Sequence, residues 1–287
     1  MLIADAPPAP PAYVIQVQDV EYQHVNGHGL MATLYRPQGA GPFAAVVEVH
    51  GGAWTSRDRF NNKDTATAMA KAGIVVMSID FRMPPEAAYP GSLQDINLAI
   101  RWLKAHAREF GSAPERVGAY GTSSGGHQVL LAAMRPTDPR YSATALPDAA
   151  GVDASLAFVI SGWGVLDPVD RYKVAQRQGK ADLIKSHDTF WGSEAAMSEG
   201  DTMLILERHE KLAKLPPALV FQGTDDEWTK PAQAERFAAL YRQAGGEIEL
   251  ALYPGERHTF VNENPNSPNT KTAVEKLIAF AKKYGGS

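Results

Sequence analysis

Cysteine is absent from all 287 residues, and that gap removes a disulfide framework, a thiol nucleophile and any thiolate-bound metal. It leaves reducing and oxidising compartments equally open. An excess of positive charge is missing too: 28 lysines and arginines face 32 aspartates and glutamates, for a formal net charge of -4. There is no basic field of the kind that nucleic acid or an anionic membrane requires. No uncharged apolar run approaches the roughly 20 residues of a membrane span. The leader MLIADAPPAPPA lacks both a charged start and a long apolar stretch, so a complete secretory signal is not expected within it. These absences predict a soluble chain with neither nucleic acid nor membrane as partner, and the cytoplasm as its compartment.

What is present suits a globular enzyme. With 44% hydrophobic and 21% charged residues, the chain can bury a sizeable core as one large domain or two small ones. Residues 13–22 and 30–35 read as strands around a polar turn containing Asn26-Gly27, which predicts an opening hairpin. Short apolar runs at 43–49 and 74–79 flank a helical segment at 62–72 that ends at Gly73. The alternation continues with a helix at 92–107, a strand at 116–120, a helix at 125–133 and a strand at 154–160. It closes with a strand at 218–222, a helix at 231–244, a strand at 248–253 and a helix at 272–284. Strands alternating with helices predict an α/β fold, a mostly parallel sheet covered on both faces, with ligands at the carboxyl ends of the strands. The segment 161–216 is too long for an ordinary connection and is expected to form a small cap within a single domain.

Four short elements fall at the ends of expected strands. Gly121-Thr122-Ser123-Ser124-Gly125 fits G-x-S-x-G between a strand and a helix, which makes Ser123 the candidate nucleophile and leaves Ser124 to offer its backbone N–H. His50-Gly51-Gly52-Ala53-Trp54 follows another apolar strand, and its glycines free the amides of Gly52 and Ala53 to meet an oxyanion. His50 is expected to fix that loop by hydrogen bonding. In Gln222-Gly223-Thr224-Asp225-Asp226-Glu227 three acids compete, and Asp226, three residues after the glycine, has the position to orient a histidine. His258, of eight histidines, alone lies after the final strand and downstream of a candidate acid. Taken singly, each has an ordinary reading: a tight helix start, a Gly-Gly turn, a solvated acidic run, a solvated histidine. Together they give the chain order Ser123, Asp226, His258. No histidine spacing suggests a metal, and no metal or organic cofactor is expected.

With these motifs the chain resembles the α/β-hydrolase superfamily, and within it the hormone-sensitive-lipase-like and bacterial feruloyl-esterase-like carboxylesterases. The resemblance runs over roughly residues 30–285 and includes Asp80-Phe81-Arg82-Met83-Pro84-Pro85-Glu86 with Asp95 and Arg101-Trp102-Leu103. It implies a serine carboxylesterase acting on a small ester, a homodimer through the final helix and strand, and a bracing role for Asp80 and Arg82. Departures are HGGAW in place of HGGG, Ser124 where many relatives have alanine, and a leader too short for the lipase-like helical cap. The last disfavours long-chain lipids and passes the lid to residues 161–216. Trp54, Trp163 and Trp191 are the expected pocket wall, suited to a flat or aromatic group. Alternatives left open are an amide, formamide or carbamate hydrolase, such as an arylformamidase, and a non-catalytic ligand receptor on the same fold.

Overall fold

A computed structural model describes residues 12–25 and 27–286; the leader up to Pro11 and Asn26 of the expected turn lie outside the described residues. In chain order the elements are β1 (Ile15–Val25), β2 (His28–Pro37), β3 (Ala44–Val49), α1 (Lys63–Lys71), β4 (Ile74–Ile79), α2 (Gly91–His106), β5 (Val117–Thr122), α3 (Ser124–Met134) and β6 (Val159–Gly162). There follow α4 (Pro168–Arg177), α5 (Ala181–Trp191), α6 (Glu194–Glu199), α7 (Thr202–Glu207), β7 (Ala218–Gly223), α8 (Pro231–Gln243), β8 (Ile248–Tyr253), α9 (Phe260–Glu263) and α10 (Pro268–Gly285). The expected elements are present with shifted ends. β6 starts five residues later than the apolar run suggested, and α10 starts earlier because Ser267 caps it, accepting from the Thr270 amide, with Pro268 in its first turn.

All eight strands form one sheet in the order β1-β2-β4-β3-β5-β6-β7-β8. β1 and β2 pair antiparallel, as does β2 with β4, and every other pairing is parallel. Strands inside a parallel sheet are covered on both faces, which is why β3 (AAVVEV) and β4 (IVVMSI) read as nearly continuous apolar runs and every residue in them is buried. Alternation divides their side chains. Ala45, Val47 and Val49 pack on the face that holds Leu98 of α2, Leu130 of α3 and Phe237 of α8. Ala44 and Val46 pack on the opposite face with Met69 of α1 and Leu277 of α10. The helices α4 to α7 come between β6 and β7, within the stretch expected to form a cap.

One residue breaks the apolar pattern of β3. Glu48 is fully buried; its Oε1 accepts from Asn62 Nδ2 at 2.5 Å, while its Oε2 has no partner among the described residues. Burial disfavours the carboxylate and pushes its pKa from near 4.5 up to about 7. The folded chain therefore holds a proton on Glu48 that the unfolded chain has released over that window, and stability falls as pH rises from about 4.5 to about 7. Glu48→Gln is expected to flatten this dependence, removing a loss of about 3 kcal/mol at 1.36 kcal/mol per pKa unit. Urea midpoints of both proteins between pH 4.5 and 8 measure it.

Candidate active site

The connection through α1 carries the chain from β3 to β4 on one side, whereas α3 carries it from β5 to β6 on the other. Between β3 and β5 the strand order thus reverses, and the loops that leave their carboxyl ends diverge to leave a crevice. HGGAW leaves β3 and Ser123 leaves β5, so the fold itself brings those two motifs together.

Ser123 sits at φ 52°, ψ -119°, a region costly for any residue with a side chain. Three main-chain hydrogen bonds hold it there. Its amide donates to the Gly162 carbonyl at 2.9 Å, and its carbonyl accepts from the amides of His127 and Val165, both at 3.1 Å. The flanking glycines are required by space. A Cβ on Gly121 would lie 2.4 Å from the Gly125 carbonyl oxygen, and one on Gly125 would lie 2.2 Å from the Val49 oxygen.

The loops after β7 and β8 supply the partners. Ser123 Oγ lies 2.9 Å from His258 Nε2, and His258 Nδ1 lies 2.7 Å from Asp226 Oδ2. With Nδ1 protonated, His258 donates to the carboxylate and accepts from the serine hydroxyl. Of the three competing acids only Asp226 is buried; Asp225 is exposed, and Glu227 is exposed and pairs with Arg257. Oδ1 of Asp226 accepts from the amides of Trp228 and Thr229, and Oδ2 also accepts from Gln222 Nε2 at 2.7 Å and Thr229 Oγ1 at 2.9 Å. Burial opposes ionisation of Asp226, but the hydrogen bond and charge of His258, with the two amides, outweigh it and hold the carboxyl below its ordinary range. Thr229 was not singled out from the sequence, and Gln222 was named only as the start of the acid-bearing element, with no role. Their signal was only their place around the acid, at four residues before it and three after.

The HGGAW loop is held by its carbonyls. His50 Nδ1 donates to the Gly51 carbonyl at 2.7 Å, and its ring stacks on Phe81 at 4.4 Å. The Gly52 carbonyl accepts from the Thr55 amide at 3.1 Å and from Ser56 Oγ at 2.9 Å. In a trans peptide the C=O and N–H point in opposite directions, so anchoring these two carbonyls aims the N–H groups of Gly52 and Ala53 away from their anchors. Both residues line the cavity that Ser123 lines. Among the described residues the amides of Gly52, Ala53 and Ser124 have no protein acceptor. Ser124 has a further use: its Oγ accepts from the Trp54 amide at 3.1 Å, tying this loop to α3. Asp80 braces the loop farther along by accepting from the Arg59 amide at 2.8 Å and from its Nη1 at 2.5 Å, while Arg82 pairs with buried Asp95 at 2.6 Å.

The cavity above Ser123 has a volume of about 520 Å³. Of the three tryptophans expected in its wall, Trp163 lines it, but Trp54 and Trp191 do not. Those two are 1% and 2% exposed and lie in an aromatic cluster behind it. Trp54 stacks on Phe190 at 5.2 Å and meets His127, His187 and Trp191 edge-on. The positive φ at Ala53 and Trp54 turns the indole back toward α3 and α5, where apolar burial outcompetes exposure to the cavity. The exposed aromatic that does line the cavity is Trp228, two residues past Asp226.

An eight-stranded, mostly parallel sheet with helices on both faces and a strand-turn-helix serine at its reversal point is the α/β-hydrolase fold. A family model described as BD-FAE matches residues 33–241, and the chain belongs to that family. It is similar to the probable carboxylic ester hydrolase LipM of Mycobacterium tuberculosis, with 27% identity over 253 residues, 86% of this chain and 57% of that one. It is also similar to esterase LipC of the same organism, with 30% identity over 227 residues, 76% of this chain and 53% of that one. The chain thus spans about half the length of these two relatives. Among solved structures it is similar to the thermophilic esterase Est2 of Thermogutta terrifontis, with a TM-score of 0.72, 24% identity, and 95% and 92% of the two chains covered.

Ser124→Ala leaves the buried Trp54 amide without an acceptor, a loss expected to cost about 1–3 kcal/mol. At about 2–4 °C per kcal/mol for a chain of this size, calorimetry should show a melting temperature several degrees lower.

Proposed function

We propose that the protein is a serine carboxylesterase that hydrolyses small esters with short-chain or aryl groups through an acyl-enzyme. The observation that carries this reading is the unbroken line from Asp226 through His258 to Ser123 Oγ, at 2.7 and 2.9 Å, beside three amides without protein acceptors. The names of the relatives, carboxylic ester hydrolase and esterase, favour the same chemistry.

Each group then has one task. Ser123 Oγ forms a bond to the ester carbonyl carbon as its proton passes to His258 Nε2. Asp226 fixes the tautomer of His258 and stabilises the imidazolium without taking its proton. The carbonyl oxygen gains negative charge and accepts from the amides of Gly52, Ala53 and Ser124, each contributing about 3 kcal/mol where one such donor has been removed from comparable sites. The tetrahedral carbon then expels the alcohol, which leaves with the proton from Nε2. Water repeats the sequence on the acyl-serine, giving its proton to His258 and releasing the acid and the serine hydroxyl.

The helices between β6 and β7 are part of the proposal, as the lid over the acyl or alcohol group. So is the homodimer: β8 is an edge strand flanked by α10 through the Lys276–Glu249 pair at 3.0 Å, and a second copy would extend the sheet there. Light scattering after size exclusion measures the assembly.

Turnover of p-nitrophenyl esters from acetate to palmitate, with an anilide and a formanilide alongside, tests the reaction class. Fast hydrolysis of the short esters is expected, with kcat lowered at least about 10,000-fold by Ser123→Ala. A phosphonate ester should add its mass to the wild type and not to Ser123→Ala. Turnover confined to the amides would move the reaction to amide hydrolysis, and ligand binding without labelling or turnover would make the protein a receptor.

A further inference from the structure

Arg171, in the first half of α4, lines the same cavity as Ser123 and His258 and takes no part in the steps above. It is only 7% exposed. Its Nε and Nη1 are buried without a hydrogen-bond partner, and among the described residues its side chain makes no ion pair. The acid whose charge offsets its burial is Asp226, whose oxygens are occupied by His258, Gln222, Thr229 and the Trp228 amide. One face of the guanidinium rests over the Trp54 ring at 5.3 Å. Burial lowers its pKa to about 10, which leaves it cationic at neutral pH.

Buried charges in folded proteins are ordinarily paired, and a guanidinium is a planar fork of donors that matches an oxyanion. Here the guanidinium is built into a cavity wall with no ion-pair partner among the described residues. The other charged side chains on that wall, Arg57, Asp182 and Glu263, are exposed at the rim. Water screens them far more than it screens Arg171. The two rim carboxylates also set a limit, since they oppose a second negative charge and so favour a monoanion over a phosphate dianion.

We propose that Arg171 binds a carboxylate of the substrate, so that the preferred class is esters carrying a free carboxylate group away from the scissile bond. The proposal rests on the esterase reading and adds a specificity-determining residue to it. The carboxylate has two possible sources, the acyl part and the alcohol part, and two pairs of near-isosteric esters separate them. Monoethyl glutarate against ethyl pentanoate reports on the acyl side, and 4-acetoxybenzoate against 4-acetoxybenzamide on the alcohol side.

Acid release by the wild type should favour the anionic member of one pair at least tenfold in kcat/KM. Arg171→Met should lower that ratio at least tenfold, chiefly through KM, and Arg171→Lys should restore part of it. Because each ratio is internal to one preparation, partial unfolding of a variant cancels. Glutarate or benzoate should also bind Ser123→Ala in a calorimeter, with the affinity lost when Arg171→Met is added. Ratios near one in the wild type, or ratios unchanged by Arg171→Met, overturn the proposal. An equal loss on both members of a pair does so too, and makes Arg171 a support for Trp54. Turnover of the neutral esters without anion preference would sink this inference alone, whereas no turnover of any ester would remove the esterase reading beneath it.

Discussion

The site depends on one close approach of main chain to main chain. The first turn of α3 meets the end of β3 so tightly that a single methyl group on Gly125 would lie 2.2 Å from the Val49 oxygen and 2.4 Å from the His50 oxygen. That contact sets the serine turn against the glycine loop, and the Trp54 amide to Ser124 Oγ bond fastens them. The loops of β7 and β8 then need only span the distance to a serine already placed. Interiors packed to this density do not deform continuously, so an error here would move Ser123 and the loop amides together.

Buried polarity around the sheet is handled in two ways. The Arg82–Asp95 pair and the five donors around Asp226 leave charges matched by hydrogen bonds. The pKa of Glu48 instead is raised to about 7, because burial disfavours its charge by more than the Asn62 donor favours it. Such a group in a central strand lowers stability at alkaline pH. It also lies two residues before His50, and Asn62 joins it to Thr122 at 3.1 Å, so it underlies the strand ends from which the HGGAW loop and the Ser123 turn leave.

The fold was legible because parallel strands buried on both faces leave short apolar runs that local composition reveals. The candidate site was legible because a strained serine turn, a glycine loop, and a loop acid and histidine each demand particular residue types over a few positions. What escaped depends on contacts between distant segments. Nothing in HGGAW says that the indole of Trp54 turns back to stack on Phe190, 136 positions on. Trp191 follows it into the same cluster. Arg171 stands in PVDRYKVAQR, a polar segment within the stretch expected only to form a cap, and its burial follows from the packing of α4 with its guanidinium over Trp54. Trp228 was overlooked for the opposite reason, as an aromatic in an acidic loop that packing leaves exposed.

Trp54 joins parts of the molecule that are usually thought of separately. Its amide belongs to the loop that presents Gly52 and Ala53, its Nε1 donates to His127 at 3.3 Å, and its ring carries Phe190, His187 and the guanidinium of Arg171. For anyone redesigning selectivity, the cavity wall is therefore of two kinds. Asp182 and Leu183 line the cavity from α5 and make no hydrogen bond to the glycine loop among the described residues, whereas Ser186 beside them accepts from Thr55 Oγ1 at 3.4 Å and so belongs to its support. Replacing Phe190 or His187 changes the support of the Gly52–Ala53 loop along with the cavity wall, so the two cannot be altered independently.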